Sequence, residues 1–192
     1  MTREDDSFLR ASAENLRAIS LVGFMGAGKT TVGGLLASQL GWRFEDLDDL
    51  IRAREGCAIE QVFWQKGEMA FRDIEHEVLY ETISQVNSPQ MVLALGGGAF
   101  VESRNQELLL AERIPAVFLD APVEELFRRC EQPGVVRPLR RDPVQFRELY
   151  MQRRPAYQKA ALSIATAGKD IAAVVKEIIF GLKLVPNTGV SK

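Results

Sequence analysis

The segment Gly23-Phe24-Met25-Gly26-Ala27-Gly28-Lys29-Thr30 constrains this chain more than any other stretch. It satisfies the pattern G-x-x-x-x-G-K-[ST]. An apolar run over 18–23 leads into it and a helical stretch over about 29–40 follows, so it reads as the turn from a strand into a helix. Glycines at this spacing let the backbone turn tightly, and successive N–H groups then point into one concavity. The helix N-terminus adds a field that favours anions. A lysine at Lys29 reaches the β- and γ-phosphates of a nucleotide, and a hydroxyl at Thr30 ligates Mg²⁺. A chance glycine-rich turn has no reason to carry a strand and a helix on the correct sides.

The rest of the chain supplies the sheet that such a loop requires. Further apolar runs at 42–46, 91–95, 116–120 and 162–165 alternate with helical patterns at 47–54, 58–66, 68–86, 103–112, 122–130 and 144–154. In the last helix Ile171, Val174, Val175, Ile178, Ile179 and Leu182 form one apolar face. Residues 1–17 read as a polar, frayed lead-in, 18–182 as a single domain, and 183–192 as a flexible tail. The 192 residues fit one domain. The longest apolar run, 91–101, contains three glycines and is about half of what a membrane span needs. Lysine and arginine number 24 against 26 acids, so no basic excess points to nucleic acid. Two cysteines, Cys57 and Cys130, in no CxxC pattern argue against a disulfide framework or a zinc site and fit a cytoplasmic protein.

Several residues have two readings on spacing alone. The aspartate that backs the magnesium site is either Asp46 or Asp120. Asp120 precedes Pro122, and the simpler expectation for it is a helix N-cap. Asp46 and Asp48, two apart at a strand end, either serve metal and substrate or cap the helix ahead of Leu50 and Ile51. Gly96-Gly97-Gly98 lets a ligand or a loop approach the backbone closely. Arg72 offers a fork for a carboxylate or forms an ordinary surface pair with Glu75. His76 is expected on a helix surface, Cys57 and Cys130 to be inert, and Trp42 and Trp64 to pack. The chain carries neither an NKxD nor a D-x-x-G run, so it is not read as a GTPase.

Taken in order, GFMGAGKT, D-x-D, F-R-x-x-E, GGG, R-P-L and R-x-P-x-Y resemble the motif series of the shikimate kinases, from about residue 16 to 182. The resemblance implies a nucleoside-monophosphate-kinase-like α/β fold, a three-layer sandwich with five parallel strands in order 2-3-1-4-5. It implies transfer of the ATP γ-phosphate to the 3-hydroxyl of shikimate, giving shikimate 3-phosphate and ADP on the route to chorismate and the aromatic amino acids. Gly26, Ala27, Gly28, Lys29, Thr30 and Thr31 would wrap the phosphates, with Thr30 on Mg²⁺ and Asp46 behind its waters. Asp48 would hold the ring hydroxyls and take a proton. Arg72 and Arg153 would grip the carboxylate, Gly97 and Gly98 would contact the ring, and Phe63 and Phe71 would wall it. Without the resemblance, Phe63 and Phe71 are simply core residues. Arg137 would close on ATP from a lid at about 131–143, while Arg129 and Lys169 would flank adenine. Residues 47–86 would form the substrate-binding region of a monomer. The chain departs from the family at Arg140, which stands where a second leucine usually follows R-P-L. A related small-molecule kinase, such as a gluconate kinase, is the nearest enzyme alternative, and F-R-x-x-E, GGG and R-x-P-x-Y argue against it. A relative that has lost catalysis and only binds nucleotide should lack Lys29, Asp48 or a gripping arginine, and all are present.

Overall fold

The computed structural model describes residues 16–85, 90–131 and 142–187. Arg137, Arg140 and most of the expected lid lie outside the described residues. In chain order the elements are β1 (Ala18–Val22), α1 (Lys29–Leu40), β2 (Arg43–Asp46), α2 (Leu47–Glu55), α3 (Ile59–Ser84) and β3 (Met91–Ala94). A 3₁₀ turn (Ala99–Val101), α4 (Ser103–Ala111), β4 (Ala116–Asp120), α5 (Val123–Cys130), α6 (Pro143–Tyr157), β5 (Leu162–Ala165) and α7 (Ile171–Gly181) follow.

All four strand pairings are parallel, and the sheet order is β2-β3-β1-β4-β5, as the resemblance implies. Every residue of β1 and β3 is buried, because helices cover both faces, whereas the edge strands β2 and β5 are only partly covered. That explains why the central strands read as unbroken apolar runs. The parallel sheet brings five strand ends to one edge. There lie the phosphate loop after β1, Asp46 at the end of β2, the glycine turn after β3, Asp120 at the end of β4 and Thr166 after β5. Ligands bind at this edge in open parallel sheets.

The helices expected over 58–66 and 68–86 are both present, abutting as α3 with the break between them at Gly67 (φ 81°, ψ 171°). Two expectations need correction. Residues 16–17 are not frayed. Leu16 is buried, and the carbonyls of Leu16 and Arg17 accept hydrogen bonds from Gln90 Nε2 and Met91 N. The start of the expected tail is also packed, since Leu184 is buried and Asn187 N donates to Gln39 O at 2.9 Å. In both places short polar flanks hide a few apolar or hydrogen-bonding anchors from a composition argument.

Candidate active site

The phosphate loop is shaped by close packing as much as by free amide groups. Gly26 has φ 81°, and a β-carbon on it would stand 2.7 Å from Leu126 O and 2.9 Å from Cys130 Sγ. Glycine is required here on both counts. Lys29 Nζ donates to Gly23 O at 2.8 Å and Phe24 O at 3.1 Å, which holds the ammonium across the loop. Thr30 Oγ1 donates to Asp46 Oδ2 at 2.8 Å, while Asp46 Oδ1 accepts from Asp48 N at 3.0 Å and caps α2. The cap reading of Asp46 is met by one oxygen, and the other is held by the Thr30 hydroxyl.

Asp120 is not the cap of α5 and does not line the cleft that Thr30 lines. The cap position of α5 is Pro122, with no side-chain cap. Asp120 instead accepts from Arg154 Nη2 at 2.8 Å and from Tyr150 Oη at 3.3 Å. An arginine from α6 has claimed the carboxylate, 34 positions along the chain, and local spacing carries no sign of that.

The second half of the site is built on α2, α3, α6 and the glycine turn. Side chains press against that turn: a β-carbon on Gly96 would stand 2.7 Å from Asp48 Oδ1, and one on Gly98 only 2.4 Å from Arg72 Nη2. Arg72 Nη1 donates to Glu75 Oε2 at 2.6 Å, so the pair weighed as an ordinary surface contact exists, but it is buried. Burial pushes the Glu75 carboxyl above its usual range, and the Arg72 guanidinium pulls it back only partly. The rings of Phe63 and Phe71 stack at 4.1 Å between centroids, and the Arg72 guanidinium lies 5.8 and 5.2 Å from them. Phe71 is buried in the core and also lines the cleft, and Phe63, partly buried against that core, lines it beside Phe71. Arg153 Nη1 stands 3.7 Å from where a β-carbon of Gly97 would lie.

One cleft of about 950 Å³ joins the two halves. Lys29, Thr30, Thr31, Asp46, Asp48, Arg72, Gly97, Gly98, Arg129 and Arg153 line it together. Arg129 reaches it from α5, held by Glu125 at 2.6 Å and facing Gly26 O and Thr166 at 3.4 Å. Lys169 is not among its lining residues. Its ammonium pairs with Glu177 on α7 at 2.6 Å. Ile59, Arg52 and Trp64 line the cleft without having been singled out for it. Trp64 is 85% exposed at the rim, which overturns its expected packing role. Its place on the N-terminal piece of α3, next to Phe63, was the available signal. His76 is only partly exposed, and its Nδ1 meets Asn105 Oδ1 at 2.7 Å rather than solvent.

A phosphate loop, a carboxylate on its threonine and a second pocket with converging arginines define a P-loop kinase that acts on a small acidic acceptor. The family model for shikimate kinase matches residues 25–183, and the shikimate kinase of Persephonella marina is 38% identical over 164 residues, 85% of this chain and 98% of its own. The chain belongs to the shikimate kinase family. A solved shikimate kinase from Acinetobacter baumannii, in complex with shikimate, superposes with a TM-score of 0.78 at 37% identity, covering 91% of this chain and 99% of that one. A gluconokinase from Sinorhizobium meliloti, at 19% identity and a TM-score of 0.57 with 86% and 91% covered, shares the fold alone.

Proposed function

We propose that this protein transfers the γ-phosphate of ATP to the 3-hydroxyl of shikimate, giving shikimate 3-phosphate and ADP. The observation that carries this reading is the single cleft in which Asp48, Arg72 and Arg153 surround the glycine turn beside Lys29 and Thr30. The residues divide the work by chemistry. The backbone amides of the phosphate loop and Lys29 bind the nucleotide phosphates. Arg72 and Arg153 supply planar forks for a ring carboxylate. Gly97 and Gly98 offer backbone contacts to the ring, Phe63 and Phe71 wall it, and Asp48 orients the attacking hydroxyl and accepts its proton.

Thr30 and Asp46 present hard oxygens at the edge of the loop, the donor type that Mg²⁺ takes, and so fit a magnesium ion arriving with ATP. Such an ion would neutralise charge on the β- and γ-phosphates. Arg129 lies where it can meet the nucleotide beyond the loop. Lys169 would have to leave Glu177 to do so. Arg137, on a lid over about 131–143, would add charge and exclude water, since hydrolysis of ATP is the competing reaction. Residues 47–86 form the proposed substrate-binding region. Among the described residues, no helix is long and apolar enough to cross a membrane.

The test is ADP release with shikimate beside analogues that lack the carboxylate or the 3-hydroxyl. Stimulation by shikimate alone is expected. Equal rates with the carboxylate-free analogue, or no stimulation at millimolar shikimate, would sink the assignment.

A further inference from the structure

The substrate half of the cleft is assembled from two parts that are far apart in the chain. Gly97 belongs to the turn after β3, and Arg153 belongs to α6. Each is partly open to the cleft. Tyr157 joins them from beneath. It lies at the end of α6, one helical turn beyond Arg153, and is completely buried. Its hydroxyl donates to Gly97 O. The Arg153 guanidinium, one turn earlier on the same helix, is a cationic neighbour of the same phenol. Its ring is fixed independently, tilted against Phe118 of β4 with centroids 5.4 Å apart. The phenol thus lies on the helix whose Arg153 would hold one end of the acceptor and donates to the backbone that would hold its ring.

We propose that Tyr157 is a positioning residue for the acceptor: its hydroxyl ties the glycine turn to the helix that carries Arg153, so that turn and helix are set in place before the acceptor arrives. The proposal rests on the shikimate reading for the identity of the acceptor, but its structural part does not. A carbonyl at Gly97 fixed from below leaves its peptide with one orientation, and the amides of the turn inherit it. Arg153 stands one turn earlier on the same helix, so the place of its backbone relative to the turn is fixed before binding rather than during it. Burial pushes the Tyr157 phenol up to about 12, with Arg153 working in the opposite sense. The group therefore remains a donor at neutral pH.

Tyr157→Phe removes the hydroxyl and keeps the ring against Phe118. The expected result is a shikimate KM raised about tenfold, an ATP KM within twofold of wild type, and a kcat little changed, the pattern of lost uniform binding to one substrate. Amide hydrogen exchange in the unliganded protein should accelerate at Gly97 and Gly98 relative to β1. Placing 4-aminophenylalanine at 157, which restores a donor at the ring's tip, should recover most of both effects. A folded Tyr157→Phe protein with unchanged shikimate KM and unchanged exchange at the turn overturns the proposal. So does a parallel loss in both KM values, or a variant that unfolds while the aminophenylalanine protein folds, because either makes the hydroxyl a general stabiliser. If the wild type releases no ADP with shikimate, the functional reading fails instead, and the exchange measurement alone still decides what Tyr157 does.

Discussion

At the scale of single residues, the site is a set of charged groups whose surroundings decide their roles. Asp48 stands close to the glycine turn, and Asp48→Asn keeps its size while removing its basicity. The rate should fall by about 10²- to 10⁴-fold, the usual contribution of a general base. ATP affinity, read by calorimetry, should change by less than about twofold; an equal loss in ATP affinity would place Asp48 with the nucleotide instead. Glu75 shows how burial competes with pairing. It is 1% exposed and bonded to Arg72, yet its pKa moves up, because losing water costs the carboxylate more than the guanidinium returns. A group whose folded pKa lies above its unfolded value contributes stability in acid, and that contribution is lost as the pH rises through the folded value. The stability of wild type relative to Glu75→Gln should therefore be greatest below about pH 4.5, the ordinary value, and decline above it. Urea midpoints for the two proteins from about pH 4, just below that ordinary carboxyl value, up to about pH 8 give the answer. A difference that grows with pH would show that the Arg72 pair outweighs burial.

At the scale of elements, two strands end in aspartates and only one meets the phosphate loop. Asp46, at the end of β2, accepts from Thr30, whereas Asp120, at the end of β4, is bound to Arg154 and Tyr150 of α6. Asn at 46 can still cap α2, so Asp46→Asn isolates the charge. It should raise the Mg²⁺ concentration for half-maximal rate by about 10- to 100-fold, as loss of an outer metal partner does. Asp120→Asn should leave that requirement unchanged. Its cost in stability should be under about 1 kcal/mol, because the Asp120 and Arg154 side chains keep 26% and 36% of their exposure. If the two variants exchange these effects, the metal assignment moves to β4. The contrast also marks what the sequence made legible. Strand order, the phosphate loop, the Asp46 cap and the Arg72–Glu75 pair could be read because local spacing or an ordered motif series sets them. The partners of Asp120, the bond from Tyr157 to Gly97 and the half-burial of His76 depend on residues 34, 60 and 29 positions away. No periodicity reports contacts of that range. Trp64 was misread for a related reason: a large aromatic is usually buried, and only the break at Gly67 and the open cleft explain why this one is not.

At the scale of the whole molecule, the net charge of −2 conceals an uneven distribution. Between 128 and 154 there are eight arginines and three acids, so the rest of the chain is strongly acidic. A balance near zero is compatible with a binding cleft for anions: Arg129 and Arg153 of this stretch line the cleft beside Lys29 and Arg72, while Arg147 and Arg154 pair with Glu124 and Asp120. The cleft has two halves held by different elements, the nucleotide half by β1, α1 and α5 and the acceptor half by α2, α3, α6 and the turn after β3. Each ligand should therefore stabilise the fold through its own contacts. A ligand that binds only the folded state adds about 2.7 kcal/mol at 100 times its Kd. In a chain of this size each kcal/mol moves the melting midpoint by about 2–4 °C. Shikimate and a non-hydrolysable ATP analogue with Mg²⁺, each at that excess, should each raise Tm by about 5–10 °C. Lys29→Met should lose most of the nucleotide shift and keep the shikimate shift, and Arg153→Met should do the reverse. Differential scanning fluorimetry of the three proteins with each ligand separates the outcomes. Loss of both shifts in either variant would mean that the two halves do not bind independently, and that the phosphate loop and the carboxylate grip form only together.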